Sequence, residues 1–132
     1  MTNKIKHLFI ITLLMFSVIG LVGCVSVSGN YIEKFSVSSQ GKNKFSDKYD
    51  SLDGTKTYTI KAKECSNLEL NVTTDSGKLT VEITDSNGQL VYQKVDIDGL
   101  TETITLEKGG KYNISFIAHE HSGSFSCKWE PK

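Results

Sequence analysis

Apolar residues recur at every second position through most of the chain after Phe45. Tyr58, Ile60 and Ala62 face one way, with Thr57, Thr59, Lys61 and Lys63 opposite. Leu68, Leu70 and Val72 alternate with Glu69, Asn71 and Thr73, and Leu79, Val81 and Ile83 alternate with Thr80, Glu82 and Thr84. Tyr112, Ile114, Phe116 and Ala118 make another such set, and Phe125, Cys127 and Trp129 the last. A period of two sends successive side chains to opposite faces, the pattern of antiparallel strands covered on one side. No stretch after residue 30 has helical periodicity, and alanine appears there only at 62 and 118. Turn-forming groups punctuate the runs: Leu52-Asp53-Gly54, Asp75-Ser76-Gly77, Asp85-Ser86-Asn87-Gly88, Asp96-Ile97-Asp98-Gly99 and Lys108-Gly109-Gly110. The spacing predicts an all-β domain over residues 44–132: an antiparallel β-sandwich of jelly-roll or immunoglobulin-like type with about seven to nine strands. Strands this short, with lysine on their outer faces, exclude a membrane-spanning barrel.

The N-terminus follows a different rule. Lys4 and Lys6 precede an apolar run from Leu8 to Val22, broken only by Thr12, Ser17 and Gly20. A positive start, a short apolar stretch and small residues at its end describe a secretory signal peptide over residues 1–23. The ending Leu21-Val22-Gly23-Cys24 resembles the lipobox of bacterial lipoproteins. That resemblance implies cleavage between Gly23 and Cys24 and a lipid anchor at Cys24, whose thiol is diacylglycerylated, with palmitate as the expected acyl group. Left uncleaved, Leu8 to Val25 is just long enough for a membrane helix. Either route puts the body outside the cytoplasm. The small polar residues after the anchor predict a tether over 24–43, with one short strand around Tyr31 to Val37.

Composition narrows the function. The full chain of 132 residues has 15 acidic residues, 15 lysines, no arginine and zero formal charge. Cleavage before Cys24 leaves 109 residues and a formal charge of −2. Nucleic-acid binding needs a basic surface, and arginine above all for paired contacts to phosphate and guanine, so nucleic acid is excluded as a partner. Lysine without arginine suits an AT-rich genome, where a Gram-positive anchor sits in the cytoplasmic membrane. In a Gram-negative cell, Val25 after the anchor points to the outer membrane.

Residues Thr57 to Trp129 also resemble the bacterial pre-peptidase C-terminal β-sandwich modules. The resemblance is carried by Tyr58-Thr59-Ile60, by Leu79-Thr80-Val81-Glu82-Ile83 with Asp85-Ser86-Asn87-Gly88, by Gly109-Gly110-Lys111-Tyr112-Asn113-Ile114 and by Gly123-Ser124-Phe125-Ser126. It implies a β-sandwich of the kind that accompanies secreted proteases. These 132 residues contain no stretch read as a protease domain, so a protease-associated role is not expected to carry over.

Several residues are candidates for chemistry. Cys65 and Cys127 form an even pair in an oxidising compartment, which suits a disulfide, although alternation points Cys65 away from the core and two free thiols fit equally well. His119 and His121, two apart on a strand, would share a face and reach one Zn²⁺ if a third ligand joined them; a solvated loop is the simpler expectation. Asp96-Ile97-Asp98-Gly99 resembles the start of a calcium loop without its further ligands, and reads as a turn. Asn71-Val72-Thr73 and Asn113-Ile114-Ser115 match the glycosylation pattern by chance in a bacterial chain. Tyr92 and Trp129 would make a sugar-stacking platform if exposed, but their place in the stripes favours the core. No Gly-x-Ser-x-Gly elbow or phosphate-cradling glycine loop occurs, and no cofactor is implied. The expectation is a cell-envelope lipoprotein with a non-catalytic binding or structural domain, for an envelope polysaccharide or a protein such as a transporter. The alternative is a metal-binding protein or metal-dependent enzyme using His119 and His121.

Overall fold

The computed structural model describes residues 25–131. The signal segment, the Gly23–Cys24 cleavage site and the anchor cysteine lie outside them. The described chain is all-β: β1 (Ser26–Ser28), β2 (Tyr31–Lys34), β3 (Val37–Gly41), β4 (Lys44–Ala62), β5 (Ser66–Asp85), β6 (Leu90–Lys94), β7 (Gly99–Leu106) and β8 (Gly110–Pro131). Every pairing is antiparallel.

β4, β5 and β8 span 19, 20 and 22 residues. At about 3.3 Å per residue each would extend beyond ~60 Å if straight, far more than a domain of this size can hold. Instead each turns a corner. The register of β4 on β8 shifts between Tyr49 and Gly54, and that of β5 on β8 between Thr74 and Lys78. Phe45 and Tyr58, thirteen positions apart on β4, therefore stack face to face with ring centroids 3.9 Å apart. Phe116 and Phe125 on β8 do the same at 3.7 Å.

The folded-over strands make two layers. One runs β3–β4–β8–β5–β7 through the first half of β4 and β5 and the second half of β8; the other runs β1–β4–β8–β5–β6 through the opposite halves, with β2 lying along the corner of β4. Between them lie the inward stripes, including Leu68, Leu70, Leu79, Val81, Ile83, Ile114 and Leu106. The alternating stripes thus form the core of an antiparallel β-sandwich, as the period of two predicts.

Two expectations need correction. Leu52-Asp53-Gly54 and Asp75-Ser76-Gly77 do not end strands; they are corners within β4 and β5. The expected tether over 24–43 is mostly folded: β1, β2 and β3 pair in succession along the outer edge of β4. An unpaired strand edge offers a row of free N–H and C=O groups, and even a polar segment satisfies them when it is held alongside.

Candidate functional site

The corner of β4 brings together charges that are distant in sequence. Asp47 lies between Phe45 and Tyr49 on the inward face, and Lys56 is in phase with Tyr58 and Ile60. With the strand doubled back, Lys56 Nζ donates to Asp47 Oδ2 at 2.7 Å. It also donates to Glu33 Oε2 at 3.0 Å, from β2 above the corner. Only 5% of the Lys56 side chain, 11% of Glu33 and none of Asp47 is exposed. The ammonium also lies 4.9 Å from the ring centre of Tyr31 and 5.6 Å from that of Tyr58, a distance at which a ring face attracts a cation.

Two carboxyls and one ammonium in a dry site do not all stay ionised. Burial, followed by the hydrogen bond shared with Glu33, pushes the Asp47 carboxyl up to about 7, against the pull of Lys56. Burial alone would lower Lys56, but its hydrogen bonds to Asp47 and Glu33 outweigh that and hold it above the usual lysine range. Both shifts fit a charged Lys56 beside an Asp47 carboxyl that holds its proton far more readily than an exposed one. Asp47 Oδ1 and Glu33 Oε1 are buried without a hydrogen-bond partner, which suits a proton shared between the two carboxyls.

His121 is fully buried beside the same corner. Tyr49 Oη lies 2.6 Å from its Nδ1 and Thr74 Oγ1 2.8 Å from its Nε2. Thr74 gives its own proton to the Ile97 carbonyl at 2.8 Å, so Nε2 is the donor to Thr74 and Nδ1 accepts from Tyr49. The ring is neutral, and burial lowers its pKa despite the opposing charge of Asp75. Its unfolded counterpart takes up a proton first as pH falls, so the contribution of His121 to stability is present above about 6.5 and declines below it. The raised Asp47 carboxyl acts in the opposite direction, and a variant must separate the two. Urea melts from pH 7.5 to 5 are expected to show wild type losing stability relative to His121→Gln; parallel curves would refute the assignment.

The structure does not unite His119 with His121. Glu120 between them has φ +44°, which breaks the alternation that a shared face requires. His119 is 82% exposed, 4.0 Å from Asp53 Oδ1, whereas His121 points into the core. Among the described residues no group of three or more His, Cys, Asp or Glu gathers as a metal site. The disulfide is also corrected. Cys127 pairs in register with Leu70, five residues along β5 from Cys65, roughly 16 Å at strand spacing. A disulfide needs Cα atoms about 4.4–6.8 Å apart. Cys65 is exposed and Cys127 buried, both as free thiols, and burial raises the Cys127 thiol above its usual range.

The other candidates are structural. Asp96 and Asp98 flank Ile97, which the turn tucks into the core through a 2.8 Å bond from its N–H to the Leu79 carbonyl. Trp129 is buried and donates from Nε1 to the Lys61 carbonyl at 3.2 Å; Tyr92 is half-buried and donates to Glu102 at 2.7 Å. They form no platform. The Asn71 and Asn113 side chains lie on the outer faces of β5 and β8.

Exposed apolar side chains lie elsewhere, some at Leu90, Val91 and Val95 and the most exposed beside the corner of β4. Phe35, between β2 and β3, is 84% exposed with φ +52°, and Ile32 and Val37 beside it are also exposed. A shallow hollow lined by Asn30, Tyr31, Ile32, Asp53, Gly54 and Ala118 adjoins Ile32. No local pattern marks this rim; the sequence shows only a weak strand.

No protein-family model matches the chain, and neither does any curated protein. Solved structures that it is similar to include a periplasmic inhibitor of g-type lysozyme from Aeromonas hydrophila, at 13% identity and TM-score 0.49, over 82% of this chain and 88% of that one. The pre-peptidase C-terminal domain of a Bacillus anthracis collagenase matches at 13% identity and TM-score 0.46, over 77% and 89%. A carbohydrate-binding module of Cellvibrio mixtus lichenase 5A matches at 9% identity and TM-score 0.43, over 83% and 98%. Each is a likeness of shape at low identity, and none assigns a ligand to this chain.

Proposed function

We propose that the chain is an extracytoplasmic lipoprotein, anchored through Cys24, whose non-catalytic β-sandwich docks an envelope protein through the rim of Ile32, Phe35 and Val37. Phe35 carries this reading. A large aromatic ring held in water by a left-handed backbone has no role in the core, and exposed aromatics backed by apolar neighbours are the usual anchors of protein interfaces.

The position of the rim supports it. β1 begins two residues after Cys24 and runs beside Thr57 to Thr59, toward the end of the sandwich where β4 starts and finishes. Phe35 sits near the corner of β4, because Lys34 pairs with Ser51 and Val37 with Lys48. An anchor at Cys24 holds one end of the sandwich against the bilayer and turns the rim away from it. Polysaccharide is the less favoured ligand, since Tyr92 and Trp129 are turned inward.

The test is binding of the chain to isolated envelopes treated in turn with protease and with glycan-degrading enzymes. Protease should abolish binding, and Phe35→Ala should weaken it by about 2 kcal/mol, roughly thirtyfold in Kd. Binding lost only with the glycan would transfer the role to polysaccharide, and binding indifferent to Phe35→Ala would remove the rim. Incorporation of a fatty-acid analogue should disappear in Cys24→Ser; label retained there would refute the anchor.

A further inference from the structure

We propose that Lys56 and Asp47 join through a side-chain amide, with Glu33 moving the protons, so that the two halves of β4 are tied covalently across their corner. An amine and a carboxylic acid do not condense in water, because they meet rarely and exist there as ammonium and carboxylate. The site removes each obstacle. Lys56 Nζ is held 2.7 Å from an Asp47 carboxyl oxygen, so no encounter is needed. The pair is enclosed by aromatic rings: Tyr31 and Tyr58 flank the lysine, and Phe116 and Phe125 are the β8 partners of Lys56 and Asp47 in register. A dry surround favours neutral reactants over charged ones. Glu33, 3.0 Å from the same nitrogen and sharing a hydrogen bond with the Asp47 carboxyl, is placed to act as base and then as acid.

The proton inventory of the site suits the reaction. With Asp47 protonated, its Cγ is an electrophile with a hydroxyl able to leave as water. Glu33 takes one proton from the Lys56 ammonium and frees the nitrogen lone pair. The nitrogen attacks Asp47 Cγ to form a tetrahedral intermediate. Through its two carboxyl oxygens Glu33 passes a second amine proton to the leaving hydroxyl; the C–O bond breaks, the C–N bond remains and one water departs. Ammonium, carboxylic acid and carboxylate become amide, water and a protonated Glu33. Charge and atoms balance without oxidant, metal or cofactor. Effective molarities of about 10⁵–10⁸ M for reactants held in place offset the reverse pull of water on the amide.

Intact mass spectrometry of the full chain tests this, with Lys56→Arg produced in the same way as reference so that processing and acylation cancel. After allowance for the substitution, wild type is expected to be lighter by one water molecule. Its digest should contain a branched peptide joining the Asp47 and Lys56 segments, stable to boiling and reductant. Glu33→Gln should slow the appearance of that peptide about a hundredfold or more, the usual contribution of a general acid–base group. A folded wild type of unreduced mass would overturn the proposal whether or not the variants fold. So would a water loss that maps to a cyclic imide at Asp53-Gly54 or Asp98-Gly99. A branched peptide that forms as fast in Glu33→Gln would remove the role of Glu33.

Discussion

Lys56→Ala is expected to destabilise the domain by about 3–5 kcal/mol, which for a domain of this size lowers Tm by more than ~12 °C. The substitution leaves Glu33 and Asp47 in a site closed to water, with no cation to offset Glu33 and nothing to fill the space beside Tyr31 and Tyr58. The cost arises from breaking the group, since an ion pair in a dry site is itself expensive to bury and, apart from any covalent tie, the intact cluster adds little net stability. Replacing all three members, as Lys56→Met with Asp47→Leu and Glu33→Leu, should therefore recover the part of the loss due to the unpaired carboxyls, leaving only what the Lys56–Asp47 tie contributes. Urea denaturation of the two variants against wild type separates these effects. A loss below about 1 kcal/mol in Lys56→Ala would mean that the cluster behaves as a solvated surface pair, and the account of its burial would fail. Glu33 comes from β2, so the same group also fastens the edge strand to the body.

How far this cluster is legible in the sequence depends on which step is asked of it. Alternation alone puts Asp47 in phase with Phe45 and Tyr49, and Lys56 in phase with Tyr58, and a charge in an apolar phase is the local signal of a buried ion. Their pairing is not local. Nine residues separate them on one strand, and they meet only because β4 turns back on itself. Glu33 is hidden further, because its segment reads as a short strand with apolar residues on both faces, and only its pairing on the open edge of β4 decides which face turns in. The histidine expectation fails for a related reason. The rule that positions two apart share a face assumes an extended backbone, and Glu120 leaves it. The cysteine pairing rests on number and compartment, which carry no geometry; register then places the two thiols far apart. By contrast, the stripes of β5 and β8 follow from side-chain period alone, so their core positions were readable residue by residue. What alternation misses is continuity: a corner inside a long strand and a hairpin between two short ones use the same Asp, Ser and Gly.

That ambiguity makes the corners the second place where a small change has a large expected effect. Gly123 on β8 has φ +150°, and a Cβ there would stand 2.0 Å from the Thr73 carbonyl oxygen on β5. Gly77 on β5 has φ +77°, and its Cβ would stand 2.1 Å from the Glu120 carbonyl oxygen on β8. The two strands thus press backbone against backbone at their common corner, each using a glycine where the other comes closest. Gly123→Ala combines about 1–3 kcal/mol of conformational strain with a clash that no side-chain rotation relieves, so a loss above ~3 kcal/mol is expected in a thermal or urea melt. Gly88→Ala is the control, because Gly88 also has positive φ (+78°) but has nothing within 4 Å of the added Cβ. It carries the strain without the clash. Equal losses in the two variants would show that packing at the corner does not set the cost. Gly77→Ala combined with Gly123→Ala should cost less than the two separate losses together, since strands already forced apart by one methyl make room for the other. Strict additivity would mean that each glycine serves its own strand alone, and the corner shared by β5 and β8 would no longer explain why strands of this length fold over into a sandwich.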